Sequence, residues 1–238
     1  MPAPPHPSTP EELLFSYYGE KRDLAHLYPD PIHPVLIEPF AGSASYSLHG
    51  DHWKHDVILV ERDQRIAELW RWLIEDADRA DIMGLPDLTP GERSEELLHL
   101  VLAATRSANR SSSITVTPEL AAQWGEARDR MADAVGKVKH WTILHGAYTD
   151  SPDLDATWFV DPPYAGEPGS GYRFGSSTLD FEALGGWIRT RRGQVIACEG
   201  GLGTYLPFGP LRPGVDIPGE TRHEFVWCNG EASERAAS

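Results

Sequence analysis

Thr157-Trp158-Phe159-Val160-Asp161-Pro162-Pro163-Tyr164 is the stretch on which the reading of this chain turns. Its first four residues are β-branched or aromatic, the composition of a buried strand. Two prolines then stop the strand. Proline fixes φ and donates no backbone hydrogen bond, so the run neither continues as a central strand nor opens a regular helix. An acid and a ring are therefore left at the carboxyl end of a strand, where open α/β sheets bind their ligands. A carboxylate, proline carbonyls and an aromatic face suit a planar base with an exocyclic amine, offering acceptors for its N–H groups and a surface for stacking.

Outward from this stretch, other apolar runs also end in acids or turn residues. Val35-Leu36-Ile37 leads to Glu38-Pro39-Phe40-Ala41-Gly42, Val57-Ile58-Leu59-Val60 to Glu61-Arg62-Asp63, and Thr142-Ile143-Leu144 to His145-Gly146; 194–198 and 224–228 supply later strands. Ile66, Leu69, Trp70 and Leu73 recur at helical spacing. Phe181, Leu184 and Ile188 do the same behind Asp180, a natural N-cap. Strands alternating with helices predict right-handed crossovers and a mainly parallel sheet, that is, an α/β Rossmann-like fold.

The rhythm breaks at 76–139. This segment holds the Pro/Gly-rich connector 85–91, a helical stretch from 92 to about 106, the polar loop Ser107-Ala108-Asn109-Arg110-Ser111-Ser112-Ser113, and a second helical stretch from 118 to about 139. It reads as a helical insertion into a domain formed by 15–75 and 140–230, with a disordered lead-in at 1–14 and a polar tail at 231–238.

Composition bounds the function. The chain has 238 residues, 40% hydrophobic and 24% charged, ordinary values for a globular protein able to bury a proper core. No apolar run approaches the roughly 20 residues that span a bilayer, and the proline-rich start lacks the regions of a signal peptide, so a cytoplasmic protein with no membrane partner is expected. Cys198 and Cys228 lie in strand-like runs and read as buried free thiols. The spacing of His49, His52 and His55 matches no ligand pattern, and no metal is expected. The formal net charge of -15 counts against nucleic acid as partner, yet a local basic face is compatible with an acidic remainder.

Glu38-Pro39-Phe40-Ala41-Gly42-Ser43-Ala44-Ser45 follows the first strand, and its small residues allow a ligand to approach the backbone. A tight turn without a ligand is the alternative. Glu61 closes the second strand, where an acid can accept hydrogen bonds from ribose hydroxyls; a solvated loop acid is the bland reading. Together the two features favour an adenosine-bearing cofactor.

With these residues in view, the chain resembles the Dam-like DNA adenine-N6 methyltransferases, particularly the compact bacteriophage-type members, over about 15–229. Tyr17-Tyr18-Gly19-Glu20-Lys21 looks like the family's N-terminal Tyr-x-Gly-x-Lys element, Pro39-Phe40-Ala41-Gly42-Ser43-Ala44 like its cofactor loop, Glu61 like its ribose-binding acid, and Asp161-Pro162-Pro163-Tyr164 like its catalytic motif. The chain departs from the pattern at Ala44, where many relatives carry a second glycine, and at Ala147, where an acid is common.

The resemblance implies S-adenosylmethionine as cofactor, held by Tyr18, Lys21, Glu38, Phe40, Ala41, Gly42, Ser43, Ala44, Ser45, Glu61, Arg62, Tyr148 and Asp161. It implies methyl transfer to the N6 amine of an adenine flipped from double-stranded DNA, with Asp161, Pro162, Pro163 and Tyr164 as the catalytic group and the insertion as the target-recognition region. Arg106, Asn109 and Arg110, then Lys137, Lys139 and Arg173, have the chemistry of phosphate and base-edge contacts, which a solvated surface explains equally. A monomer or weak dimer is expected. The same fold acting on another amine (cytosine N4, RNA or protein) stays open, as does a non-catalytic cofactor- or nucleic-acid-binding relative. The glycine-rich 165–171 is read as a flap over the site or a plain connection.

Overall fold

Residues 14, 15, 17, 19–92, 115–211 and 224–230 are described by a computed structural model, with only the backbone at 167 and 168. The alternating apolar runs become strands β1 (Val35–Glu38), β2 (Asp56–Glu61), β3 (Thr142–His145), β4 (Asp155–Val160), β5 (Arg192–Glu199), β6 (Gly209–Pro210) and β7 (Phe225–Cys228). They form one sheet in the order β3-β2-β1-β4-β5-β7-β6. The first five pair in parallel with one another, while β7 runs antiparallel to β5 and β6. The chain is thus an α/β protein with a mostly parallel seven-stranded sheet, compatible with a Rossmann-like fold. From β1 it builds outward through β2 to β3, then returns to lay β4 on the other side of β1, so a topological switch point lies between β1 and β4.

Alternation along β4 divides the core. Ala156, Trp158 and Val160 face one apolar layer with Leu184 and Ile188 of helix α4 (Phe181–Arg189), whose N-cap Asp180 accepts from Ala183 N at 3.0 Å. Phe159 faces the other layer, with Ile66, Leu69 and Trp70 of helix α1 (Gln64–Arg71). The same layer takes Trp124 and Met131 from helix α3 (Pro118–Ala134), so the inserted region shares the core of the sheet.

Tertiary packing modified the expected elements. Helix α1 continues as a π-helical turn over Trp72–Asp76, which leaves carbonyls without regular partners; Lys139 Nζ donates to two of them, Leu73 O at 2.8 Å and Ile74 O at 3.2 Å. A short helix α2 (Arg79–Met83) with a capping box between Asp78 and Asp81 stands where no periodicity announced it. Strand β6 has two residues, too few for an alternation to be read. The second inserted helix ends at Ala134 and gives way to a 3-10 turn at Val135–Val138, short of the expected end at about 139. The helical stretch at 92–106, apart from residue 92, the Ser107–Ser113 loop, the tail and the lead-in before 14 lie outside the described residues. Both cysteines are free, Cys198 buried and Cys228 half-buried. Among the described residues no helix is long and apolar enough to cross a membrane.

Candidate active site

A cavity of about 380 Å³ opens at the carboxyl ends of β1, β2 and β4, on the switch point, a volume in the range of small-molecule sites. One wall is the loop after β1. Ala41 N donates to Val60 O at 3.1 Å and Trp70 Nε1 to Gly42 O at 2.8 Å, so β2 and α1 hold the loop from both sides. Gly42 has φ +48, and a Cβ there would stand 2.9 Å from the Tyr17 ring. Ala44 is the one described residue other than glycine with positive φ, at +50. Its left-handed backbone explains why a glycine would suit this position, and alanine holds it at a strain of about 1 kcal/mol.

Two buried carboxylates end β1 and β2. Glu61 Oε2 accepts from Gly42 N at 3.1 Å and Oε1 from Asp63 N at 2.7 Å. Burial pushes its pKa up to about 7, against the hydrogen bonds that favour the anion. Glu38 Oε1 accepts from the backbone and hydroxyl of Ser47, yet burial lifts its pKa to about 8, helped by the nearby Asp161 charge. Both residues line the cavity.

Asp161 follows β4 directly. Its Oδ2 pairs with Lys21 Nζ at 2.9 Å, with the two side chains only 18% and 6% exposed. Lys21 also donates to Gly19 O at 2.9 Å and stands 4.7 Å over the centre of the Tyr164 ring. Burial raises the Asp161 pKa and Lys21 opposes the rise. For Lys21 burial acts against the charge, but the carboxylates of Asp161 and Glu224 outweigh it and hold the ammonium above its ordinary pKa. Asp161 Oδ1 is buried and makes no hydrogen bond of full geometry among the described residues, the Tyr164 hydroxyl lies close enough to the carboxylate to favour its anion, and Asp161 lines the cavity.

The far end of the cavity is aromatic. Phe40 and Tyr148 stack at 5.5 Å with 23° between planes, and Trp187 meets Tyr148 edge-on at 5.0 Å. Ala147, where an acid was awaited, lines the cavity, and its backbone N–H is taken by Asp150 Oδ2 at 2.8 Å. The segment after Tyr164 closes one side. It passes through Gly166 at φ +80 and a 3-10 turn at Glu167–Gly171, then brings Tyr172, Arg173 and Phe174 to the rim. Tyr172 lies beside the Tyr17 ring and presses its hydroxyl where a Cβ on Gly19 would be; Phe174 stacks under Arg62 at 4.8 Å; Arg173 stands 3.7 Å from Asp63. A polar cleft of about 410 Å³ continues outward along Arg62, Arg173 and His145.

The structure gathers Lys21, Glu38, Phe40, Ala41, Gly42, Ser43, Ala44, Ser45, Glu61, Arg62, Tyr148, Asp161, Pro163 and Arg173 around one cavity. Pro162 is buried and Tyr164 half-buried, and neither is on the cavity wall; the Tyr164 ring packs against Gly200, where a Cβ would stand 2.6 Å away. Tyr18, Arg106, Asn109 and Arg110 lie outside the described residues. Lys137 and Lys139 precede β3, at the amino end of the sheet, with Lys137 5.6 Å from the centre of the Trp53 ring and Lys139 capping the π-helical turn. The four residues of β3, about 13 Å at the usual rise, run from them toward the cavity end of the sheet, and neither lysine lines the cavity. Sequence reasoning passed over Tyr17, Asp63 and Glu224 as site residues, whereas Tyr172 and Phe174 were expected, beside Arg173, as contacts for DNA or a base. Tyr17 sits in the Tyr-Tyr-Gly-Glu-Lys element and Asp63 is the N-cap of α1, both legible signals; Glu224 carried none.

No family model matches this chain, and no curated protein matches it closely enough to count as a relative. Function is therefore read from the site itself.

Proposed function

We propose that this chain is an S-adenosylmethionine-dependent methyltransferase whose substrate is the N6 amine of an adenine flipped out of double-stranded DNA. The observation that carries the reading is Asp161: one carboxylate oxygen pairs with Lys21, the other is a buried acceptor without a hydrogen bond of full geometry among the described residues, and the residue lines the cavity beside the Tyr164 hydroxyl. An unmet buried acceptor costs about 1–3 kcal/mol, a cost that a ligand N–H removes.

The residues present fit the cofactor. Phe40 and Tyr148 offer faces for a purine, and Glu61, clamped by Gly42 N and Asp63 N, offers acceptors for ribose hydroxyls. Glu38 offers a carboxylate for an ammonium group, and the glycine at 42 lets a ligand reach the backbone. When bound, the cofactor supplies a methyl group on a positively charged sulfur.

The chain's own part is placement. The exocyclic amine of adenine is a poor nucleophile because its lone pair is delocalised into the ring. Asp161, as an acceptor for an N–H of the amine, favours a pyramidal nitrogen whose lone pair points away from it; the Pro162 carbonyl, off the cavity wall in the ligand-free protein, would join it only after a local shift. Lys21 favours the ionised form of Asp161 against the burial that raises its pKa. Flipping the base costs a few kcal/mol, offset by these contacts and by stacking on aromatic groups of the site. Arg62 and Arg173 at the mouth supply cations for the phosphates beside the flipped nucleotide, in a mixed-charge cleft that also holds Asp63 and Glu68.

Incubation with labelled S-adenosylmethionine and unmethylated duplex DNA, followed by nucleoside mass spectrometry, tests the reading. N6-methyladenine is the expected product. Label on cytosine, on RNA or on protein would move the activity to another amine, and cofactor binding without transfer to any of them would make the chain a binding protein.

A further inference from the structure

Glu224, like Glu199, is a carboxylate near the site that neither the motif nor the cavity wall accounts for. It immediately precedes β7, and its backbone O accepts from Leu211 N at 2.9 Å, which joins the β6 and β7 region. Its side chain turns away from solvent toward two phenols. Tyr164 donates its hydroxyl to Glu224 Oε1, and Tyr28 donates to the same oxygen at 2.8 Å. Tyr28 is itself held edge-on against Phe159 at 5.1 Å, on the strand that delivers Asp161. Lys21 lies between the two acids: it pairs with Asp161, covers the Tyr164 ring, and its charge is felt by Glu224.

We propose that Glu224 is the positioning residue of this site: a carboxylate from the far end of the chain that fixes the orientation of the Tyr164 ring through its hydroxyl. The inference rests on the adenine-methylation reading of the same site. The physical reason is that a ring tethered only at Cβ swings about its Cα–Cβ bond, whereas one also held at its hydroxyl has its long axis fixed, and the packing of Gly200 and Lys21 against its faces then sets the plane. The Asp-Pro-Pro backbone fixes the start of the motif, and Glu199 fixes its exit by accepting from Ala165 N at 3.2 Å. Only the outer end of Tyr164 needs a separate anchor, and Glu224 is its acceptor. A hydrogen bond to a charged acceptor corresponds to about ten- to hundredfold in rate when it is lost from a positioned group.

The test is a double-mutant cycle in the full chain, read as kcat, KM for DNA and the dissociation constant for S-adenosylmethionine. Glu224→Ala and Tyr164→Phe are each expected to lower kcat about ten- to hundredfold with cofactor affinity within about twofold of wild type. Combined, they are expected to be no worse than the weaker single variant by more than about twofold, because both remove one contact. Glu224→Gln, which keeps an acceptor oxygen and the shape, is expected to recover part of the loss and guards against a folding defect in the alanine variant. Multiplicative losses in the double variant, or an equal loss of cofactor affinity, would overturn the proposal and leave Glu224 a structural residue. A second readout does not depend on turnover. In tyrosine-labelled protein, the ring resonances of Tyr164 and Tyr28 are expected to shift together in Glu224→Gln, and unchanged resonances overturn the tether. Wild-type protein that methylates no DNA while those resonances shift would remove the adenine reading and leave the tether standing.

Discussion

Lys21→Met offers the sharpest energetic test of the site, because it strips a buried carboxylate of its only cation. At 2.9 Å the two charges attract by about 6 kcal/mol at an effective dielectric of about 20, most of which offsets the desolvation of both. Removing one partner of such a pair leaves an uncompensated buried charge, at about 3–5 kcal/mol. Asp161 has a second route, which is to take up a proton; that costs about 1.4 kcal/mol for each pH unit above its pKa, and burial has already raised that pKa. The expected loss at pH 7 is therefore about 2–4 kcal/mol. The sign with pH follows from an acid whose folded pKa lies above its unfolded value. The folded state then binds the proton more readily, and stability falls as pH rises from the unfolded pKa to the folded one. Lys21→Met raises the folded pKa further, so its deficit against wild type is expected to be small near pH 4 and to grow toward pH 7. Urea denaturation followed by tryptophan fluorescence at several pH values measures it. Adding Asp161→Asn removes the orphaned charge, and the double variant is expected to be more stable than Lys21→Met alone at pH 7. A pH-independent deficit, or a double variant no more stable than the single, would refute the pairing as the source of the effect.

Three further outcomes are expected. Glu61 titrates near 7 in the ligand-free protein, so cofactor affinity is expected to weaken as pH falls below about 7 and hold above it; calorimetry on Glu61→Gln is expected to show about tenfold weaker binding with that pH dependence reduced. Glu38, raised to about 8 by burial, lowers stability as pH climbs from its unfolded value to 8, so Glu38→Gln is expected to gain roughly 2–4 kcal/mol over wild type at pH 9 in denaturant titrations without ligand. Arg62→Ala removes both the Phe174 stack and the 3.2 Å hydrogen bond to Thr178, and limited proteolysis is expected to cut faster between Gly166 and Phe174; an unchanged cleavage rate would detach Arg62 from the closure of that segment.

Much of the fold was legible because its signals are local. The Val-Ile-Leu-Val run before Glu61, the helical spacing of Ile66, Leu69 and Trp70, and Asp180 ahead of Phe181 each express a periodicity or a cap within a few residues, and each became the element expected. The acids that end β1, β2 and β4 were legible as site residues for the same reason, since an acid at a strand's carboxyl end has one place to go in an α/β sheet. Lys137 and Lys139 show what a local signal does not carry. A lysine in sequence is only a charge, and packing turned one of these toward the carbonyls of Leu73 and Ile74 and the other toward Trp53, at the wrong end of the sheet for the cavity. The π-helical turn at Trp72–Asp76 was equally hidden, because its register depends on what packs against it.

By itself the sequence determined the chemistry on offer: an aspartate braced by two prolines and followed by a ring, a small-residue loop after the first strand, and an acid after the second. Only the tertiary structure decided which groups meet. It set Lys21 against Asp161 across 140 positions of chain, put Glu224 against Tyr164 across 60, and bent the backbone at Ala44 into the left-handed region. The reason is physical. Local periodicity follows from backbone geometry within a few residues, whereas the pairing of a buried cation with a buried acid follows from desolvation, which acts only once the sheet has closed around them.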